Sequence, residues 1–287
     1  MLVVFNPTAG RRRAALLWRV LDVLVAHGMR LDLARTSHAG HATELAREAA
    51  QAGERLVVAA GGDGTIAEVA RGLQGSVAAL GIIPLGTANV LAYELGVPFA
   101  PRACAAALAF GRTRTLWPGI ACGASGERLF VQMVGVGFDA EVVRRLPLGL
   151  KRSLGRGAYV VQSLREMGRY SFPRVQLRLD GVAVETASVV VSKGRLYAGR
   201  YLLAPLAQPA ERGFQVALFG CGGALGAALY GAALPLGLLS RAPGLKLVRA
   251  EVVEIGPALS AQTDGDPAGV APLRIVDAAA PIQVVIG

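Results

Sequence analysis

Three short segments near the start of the chain combine glycine with polar residues that could bind phosphate. They are Asn6–Gly10 (NPTAG), Gly61–Thr65 (GGDGT) and Pro84–Asn89 (PLGTAN), and each follows an apolar run. Adjacent glycines allow the backbone to turn sharply and to approach a ligand closely. Because a helical pattern follows GGDGT at once, free backbone N–H groups and the positive end of a helix dipole would face an anion there. Asp63, the carboxylate in this segment, suits a divalent cation or a hydroxyl group better than it suits phosphate.

This combination predicts a site for nucleotide phosphates with a divalent metal nearby. The alternative is an ordinary turn between a strand and a helix. Three glycines around one aspartate are more than such a turn requires.

The elements around these segments alternate between strand and helix. Strands are predicted at 2–5, 30–36, 55–60 and 80–83, and helices at 11–27, 41–53, 65–73, 89–95 and 102–110. This alternation is typical of a parallel sheet covered by helices on both faces. All three glycine segments then lie at the carboxyl ends of the strands, where ligands bind in such sheets.

Beyond residue 112 the pattern changes to short β-rich runs separated by turn residues. These runs cover 128–137, 174–181, 186–194, 214–220 and 245–256. They predict a second, mainly antiparallel domain. We therefore expect an α/β domain at 1–112, a β-rich domain at 113–280 and a final strand at 281–287.

Composition favours a folded protein with an anionic partner. Hydrophobic residues make up 53% of the 287 residues and charged residues 17%, and 30 lysines and arginines stand against 20 acids. The resulting charge of +10 favours nucleic acid or an anionic membrane. Since aromatic residues are scarce, at 6%, and no basic–aromatic pattern suggests stacked bases, we favour a membrane over nucleic acid.

The chain is also expected to work in the cytoplasm. Its three cysteines, Cys104, Cys122 and Cys221, lie far apart without the spacing of a metal site, which fits a reducing compartment. Its start lacks the pattern of a signal peptide. The uncharged run at 214–240 is interrupted by glycines and Pro235, so we expect a buried or lipid-surface helix there rather than a membrane span.

The order of the motifs resembles a known family. NPTAG, GGDGT and PLGTAN, followed by GVGFDAEV (135–142), YLLAP (201–205) and TDGD (263–266), are similar to the blocks of diacylglycerol kinase-type lipid kinases, which include sphingosine kinases and soluble bacterial lipid kinases. The resemblance implies a Rossmann-like parallel-sheet nucleotide-binding domain followed by an antiparallel β-sandwich domain that carries the lipid substrate. The implied activity is ATP-dependent phosphorylation of a hydroxyl of a membrane lipid such as diacylglycerol.

The resemblance also implies roles for single residues. Asp266, in the block where the family usually has glutamate, would accept the proton of the lipid hydroxyl, and Asp63 would assist catalysis. Mg²⁺ would be bound by Asp264 and by Glu211, the remaining acid of a magnesium loop that reads APLAQPAERGF (204–214). Glu68 and Asn89 would form a second layer. The ATP site would be contacted or shaped by Asn6, Thr36, Gly61, Gly62, Asp63, Gly64, Thr65 and Thr87.

Several departures from the family pattern leave two other readings open. Ala67 stands where asparagine is common, Val90 where aspartate is frequent, and the magnesium loop has lost most of its acids. GGDGT alone is shared with NAD kinases, so a kinase of a soluble nucleotide is one alternative. A nucleotide-binding regulatory protein with weakened catalysis is the other.

A route to the membrane is suggested by two stretches of the sequence. The segment 144–156 (RRLPLGLKRSLGR) places five cations among leucines, and 221–240 carries no charge. Together they could form a peripheral docking face for an anionic bilayer. The alternative is a solvated basic helix and a core helix.

Overall fold

The computed structural model of the chain describes residues 1–8, 14–124, 126–147, 149–150, 154–155, 157–256 and 259–287. They form two compact units, one made of 1–118 with 279–287 and the other of 119–278. The chain leaves the first unit a few residues later than the expected boundary at 112, because the strand Arg112–Leu116 belongs to the sheet of the first unit.

The first unit is built on one sheet of largely parallel strands. Its strands are β1 (Leu2–Phe5), β2 (Asp32–Arg35), β3 (Leu56–Gly61), β4 (Ala79–Pro84), β5 (Arg112–Leu116) and β20 (Ile282–Ile286), in the order β2-β1-β3-β4-β20-β5. The C-terminal strand β20 lies parallel to β4 and antiparallel to β5. Strands β3 and β4 are almost wholly buried, as a central position in a parallel sheet requires.

Helices cover this sheet. They are α1 (Ala14–Ala26), α2 (His41–Gln51), α3 (Asp63–Gly72), α4 (Val90–Glu94) and α5 (Pro101–Phe110). In α1 the buried residues Leu17, Val20, Leu21 and Leu24 recur at helical spacing and join one core with the strand residues Val3, Val58 and Ile83.

The second unit contains two antiparallel sheets. The first has the order β10 (Val182–Thr186), β9 (Val175–Leu179), β16 (Val253–Ile255), β19 (Leu273–Asp277), β6 (Gly119–Gly123), β7 (Gly126–Phe130). The second has the order β15 (Leu245–Ala250), β14 (Phe214–Phe219), β11 (Ser188–Ser192), β8 (Met133–Val136), β17 (Ser260–Thr263), β18 (Asp266–Val270). Side chains of both sheets share one core, which makes the unit a β-sandwich. A short ribbon pairs β12 (Leu196–Tyr197) with β13 (Tyr201–Leu202).

Helices α6 (Phe138–Arg145), α7 (Gly157–Met167) and α8 (Gly223–Ala233) complete the second unit. The uncharged run at 214–240 divides between the core strand β14 and helix α8. Within the described ranges, no helix combines the length and the apolar character needed to cross a bilayer.

Two predicted strands each prove to be two strands in different sheets. The run 128–137 divides into β7 and β8, and the run 245–256 divides into β15 and β16. Each run crosses from one layer of the sandwich to the other through a short bend. The apolar pattern continues through the bend because both layers face the same core, so periodicity alone could not reveal the crossing.

Candidate functional site

The three glycine segments meet at one edge of the first unit's sheet. The backbone N–H of Asn6 donates to Ala60 O at 3.1 Å, and the Asn6 side-chain Nδ2 donates to Thr65 Oγ1 at 3.1 Å. Both Leu85 N and Gly86 N donate to Gly61 O, at 2.9 and 3.1 Å. The end of the first segment, residues 9 and 10, lies outside the described residues.

The glycines at this edge are required by close backbone approach. A methyl group added to Gly86 would lie 2.5 Å from the Cα of Gly62 and 2.8 Å from Asn89 Oδ1. A methyl group added to Gly61 would lie 2.5 Å from the Cβ and Oγ1 atoms of Thr65. Since real side-chain atoms do not pack so closely, larger residues here would push the loops apart.

The start of α3 offers the donors that an anion needs. The helix begins at Asp63, directly after the extended Gly62, and no side chain caps its first turn. The N–H groups of Gly64 and Thr65 lie in that turn, where they are free of intrahelical partners. An uncapped helix start of this kind binds phosphate oxygens well.

Asn89 brings an unsatisfied acceptor to the same edge. Its side chain is fully buried, its backbone adopts a left-handed conformation (φ 49°), and its Nδ2 donates to Gly86 O at 2.8 Å. Its Oδ1 has no hydrogen-bond partner among the described residues. An orphaned buried oxygen is costly unless a ligand donor or a metal ion completes it. The edge therefore fits a nucleotide.

The remaining predicted contacts lie around this edge. Thr36 follows β2 and donates its backbone N–H to Phe5 O at 2.9 Å. Thr87 is exposed in the loop after β4. Their contact with a nucleotide stays a prediction.

The two acids of the segment that follows β3 support neighbouring helices. The buried Asp63 accepts the backbone N–H of Leu91 in α4 through Oδ1, at 3.3 Å. Glu68 accepts the N–H groups of Gly40 and Ala42 at the start of α2, at 3.0 and 3.3 Å. Glu68 therefore caps the start of α2, and its predicted second-layer role stays a prediction. The role of Asp63 in catalysis stays a prediction.

The second unit contains two Asp-Gly hairpins with the same construction. Asp264–Gly265 joins β17 to β18, and Asp180–Gly181 joins β9 to β10, with positive φ at all four residues. Two-residue turns with two positive φ angles match the twist of a hairpin.

In both hairpins the aspartate carboxylate accepts hydrogen bonds from a bend elsewhere in the chain. Each bend joins two consecutive strands that lie in different sheets of the sandwich. Asp264 accepts the N–H groups of Val131, Gln132 and Met133, at 2.8 to 2.9 Å. Asp180 accepts those of Glu251 and Val252, at 3.0 and 2.8 Å. Asp264 thus holds the crossing between β7 and β8. The metal-binding role that the resemblance implied for it stays a prediction.

Asp266 differs from its counterpart in the other hairpin. The residue after the Asp180–Gly181 turn is Val182, whereas the residue after Asp264–Gly265 is Asp266, whose side chain is exposed at the start of β18. The role of Asp266 as proton acceptor stays a prediction.

The predicted magnesium loop lacks a cluster of acids. Glu211 Oε2 lies 3.8 Å from Arg249 Nη2, and about half of the Glu211 side chain is exposed. Among the residues that the structure describes, no group of three or more His, Cys, Asp and Glu side chains is placed to hold a metal ion.

A partly buried polar network adjoins the turn that carries Asp266, and sequence reasoning missed it. Asp139 accepts hydrogen bonds from the Tyr197 hydroxyl and, at 2.9 Å, from Gln262 Nε2. Gln262 Oε1 in turn accepts the backbone N–H of Gly265 at 2.8 Å. Burial raises the pKa of Asp139, and burial also raises the pKa of Tyr197 well above its ordinary value. Asp139 stands in the GVGFDAEV block, but sequence patterns do not show that Tyr197 and Gln262 lie beside it.

Comparison with known proteins agrees with this architecture. Residues 1–119 match the model of the diacylglycerol kinase catalytic domain, and residues 132–286 match that of the YegS C-terminal NAD kinase beta sandwich-like domain. A Bacillus anthracis crystal structure named as a diacylglycerol kinase superposes with a TM-score of 0.76 over 100% of this chain and 96% of its own, at 22% identity.

Curated relatives align with part of the chain. A Pseudomonas putida protein named "Probable lipid kinase YegS-like" is 34% identical over 182 residues, which are 62% of this chain and 60% of the relative. A Bacillus subtilis protein named "Diacylglycerol kinase" is 33% identical over 186 residues, 62% of this chain and 59% of the relative. The chain thus spans about three fifths of the length of the curated relatives it matches. Together with the two matching domain models, these relatives show that the chain belongs to the diacylglycerol kinase catalytic-domain family, in its YegS-like form with a C-terminal β-sandwich.

Proposed function

We propose that the protein is an ATP-dependent kinase that phosphorylates a hydroxyl of a membrane lipid such as diacylglycerol. The observation that carries this proposal is the meeting of three glycine loops at the uncapped start of α3. Phosphoryl transfer depends on holding the phosphates and neutralising their charge rather than on covalent chemistry. The names of the curated relatives, lipid kinase and diacylglycerol kinase, supply the class of acceptor.

The first unit would bind the triphosphate. The N–H groups at the start of α3 would hold phosphate oxygens, and Gly62 and Gly86 would let the backbone approach them. Mg²⁺ would neutralise phosphate charge when ATP is bound. Asp63 is the carboxylate at this edge that would hold it.

Asp266 would activate the acceptor. Its carboxylate would take the proton of the lipid hydroxyl as the hydroxyl oxygen forms a bond to the γ-phosphorus and the bond to the ADP oxygen breaks. Position matters here, since a displacement of about 1 Å can cost roughly 100-fold in rate. Asp266 reaches one methylene less far than the glutamate usual in the family. The polar network beside the turn, which binds the backbone N–H of Gly265, would hold the turn that carries this side chain.

The test is a radiolabelled-ATP assay over diacylglycerol, sphingoid bases, polyprenols and NAD. We expect the unaltered protein to label a lipid, and Asp266→Asn, which keeps the shape but not the basicity, to lose about 10²- to 10⁴-fold in kcat. Asp266→Glu should retain much of the activity. The matched control, Val182→Asn, changes the equivalent position of the other hairpin and should leave kcat unchanged.

Three other outcomes would contradict all or part of this proposal. Labelling of NAD alone would contradict the proposal and favour a soluble-substrate kinase. ATP binding without labelling of any acceptor would favour a regulatory nucleotide-binding protein. Equal rates for Asp266→Asn and the unaltered protein would remove Asp266 from the mechanism.

We further propose that an anionic membrane is the partner surface. Helices α7 and α8 pack against each other and leave Val160, Leu164, Leu225 and Leu229 exposed, with Leu225 88% accessible. An apolar helix that is mostly exposed is unusual in a water-surrounded protein and marks an interaction site. The exposed Arg165 and Arg169, near Leu164, give this apolar face the charge that anionic lipid headgroups attract.

A further inference from the structure

The second unit contains a fully buried ammonium group. Lys193 follows β11, and none of its side chain is accessible. Its Nζ donates to Glu211 O at 3.1 Å, to Gly213 O at 3.0 Å and to the carboxylate of Asp277. All three donors of the ammonium group are thereby used.

Both oxygens of the Asp277 carboxylate also accept hydrogen bonds. The second oxygen of Asp277 accepts the backbone N–H of Gly213 at 2.7 Å, and Nζ lies 4.7 Å from the ring centroid of Phe214. Asp277 ends β19 in one sheet, whereas Phe214 begins β14 in the other. The buried lysine therefore ties the end of the loop 204–214 to both layers of the sandwich.

The oxygens around Nζ are the kind that bind hard cations. Two peptide carbonyls and one carboxylate meet at one point, and such oxygens are the preferred ligands of Mg²⁺ and Ca²⁺. The two carbonyls belong to the loop 204–214, for which the family resemblance implied a magnesium site. The residues do not fit a divalent ion, because Nζ occupies the centre and the Glu211 carboxylate lies beside Arg249 instead. A second cation on the same oxygens would meet strong repulsion.

We infer that Lys193 is a built-in cation that replaces a divalent metal in the loop 204–214. The ammonium supplies the positive charge that holds the two carbonyls and Asp277 together. Folding of the second unit is therefore independent of Mg²⁺. This inference concerns the loop alone and stands whether or not the protein phosphorylates a lipid.

The test is thermal unfolding followed by circular dichroism, without nucleotide, in EDTA and in MgCl₂ at equal ionic strength. We expect the unaltered protein to unfold at the same temperature in both solutions and to carry substoichiometric metal after dialysis. Lys193→Met should lower the midpoint by about 10 °C, because it leaves a buried carboxylate without its counter-charge. The matched control is Lys246→Met, at an exposed position in β15, which should leave the midpoint unchanged.

A double variant keeps the test decisive if Lys193→Met fails to fold. Lys193→Met with Asp277→Leu removes both charges, and we expect it to unfold at a higher temperature than Lys193→Met alone. A midpoint for the unaltered protein that falls in EDTA by as much as Lys193→Met loses would overturn the inference. Stoichiometric Mg²⁺ in the dialysed protein, or a double variant no more stable than the single one, would overturn it equally.

Discussion

Glu141 shows how a single carboxylate fixes a helix in the second unit. It is buried in α6 and accepts hydrogen bonds from Arg144 Nη2 at 2.6 Å, from Arg145 Nε at 2.5 Å and from Ser260 Oγ of β17 at 2.8 Å. The hydrogen bond from Arg144 is the largest cause that lowers the pKa of Glu141, to about 2 from 4.5, and it outweighs the burial that would raise it. The ionised form is therefore the one that stabilises the fold.

The sign of this shift gives a pH prediction. Because the pKa is lower in the folded state, the stabilisation is present above about pH 4.5 and is lost as the pH falls towards about 2. Glu141→Gln should lower the free energy of unfolding at pH 7 by on the order of 2 to 3 kcal/mol, and by much less at pH 2. Urea unfolding by circular dichroism between pH 2 and 7 measures this. Glu185→Gln, in an exposed pair with Arg174, is the control, and the same pH slope in Glu141→Gln as in the unaltered protein would contradict the prediction.

At the scale of elements, the sandwich depends on its two Asp-Gly hairpins. At each bend where the chain passes from one sheet to the other, backbone N–H groups donate to the aspartate of a hairpin. That aspartate is Asp264 at one bend and Asp180 at the other. A carboxylate accepts several backbone N–H bonds well, and charged acceptors make the stronger bonds. The crossing and the hairpin therefore fix each other, and Asp266 is held in place as part of that arrangement.

The two aspartates should respond differently to the same substitution. Asp264→Asn replaces the oxygen that accepts Val131 N–H by an amide donor, which should cost about 1 to 3 kcal/mol of unfolding free energy. In Asp180→Asn one oxygen, Oδ1, still accepts both Glu251 and Val252, so we expect less than about 1 kcal/mol. Asparagine tolerates the positive φ of both sites. Chemical unfolding of the two variants side by side measures the difference, and equal losses would show that the carboxylates are not bound as described.

At the scale of the whole molecule, the exposed apolar face between α7 and α8 predicts membrane attachment. The double variant Leu225→Ser, Leu229→Ser should bind phosphatidylglycerol-containing vesicles at least about tenfold more weakly. The reason is that the two serines remove apolar surface that the leucines would bury in the bilayer on binding. Added salt should weaken binding of the unaltered protein as well. The control is Val77→Ser, at an exposed apolar residue of the first unit.

Co-sedimentation with vesicles, with and without anionic lipid, measures both effects. The membrane proposal would be contradicted if the leucine variant bound vesicles as well as the unaltered protein does. Equal binding to vesicles with and without anionic lipid would also contradict it. A dimer of the unaltered protein that the leucine substitutions dissociate would instead assign the face to a second copy of the chain.

The two architectures and the meeting of the three glycine segments at one sheet edge could be predicted from local sequence patterns. Alternating strands and helices specify a parallel sheet, whose geometry brings the carboxyl ends of β1, β3 and β4 together, so NPTAG, GGDGT and PLGTAN had to converge. Local patterns sufficed here because the contacts follow from strand order and from the spacing of apolar residues.

The carboxylates that bind distant backbone groups could be recognised only in the folded protein. Asp63, Glu68 and Asp264 each accept N–H groups from segments distant in the sequence, and the Lys193–Asp277 pair joins residues of opposite sheets. Nothing in the local pattern distinguishes such a carboxylate from the exposed Asp266. The distinction rests on burial and on partners that only folding brings together, because the cost of leaving a buried polar group unpaired depends on its three-dimensional surroundings.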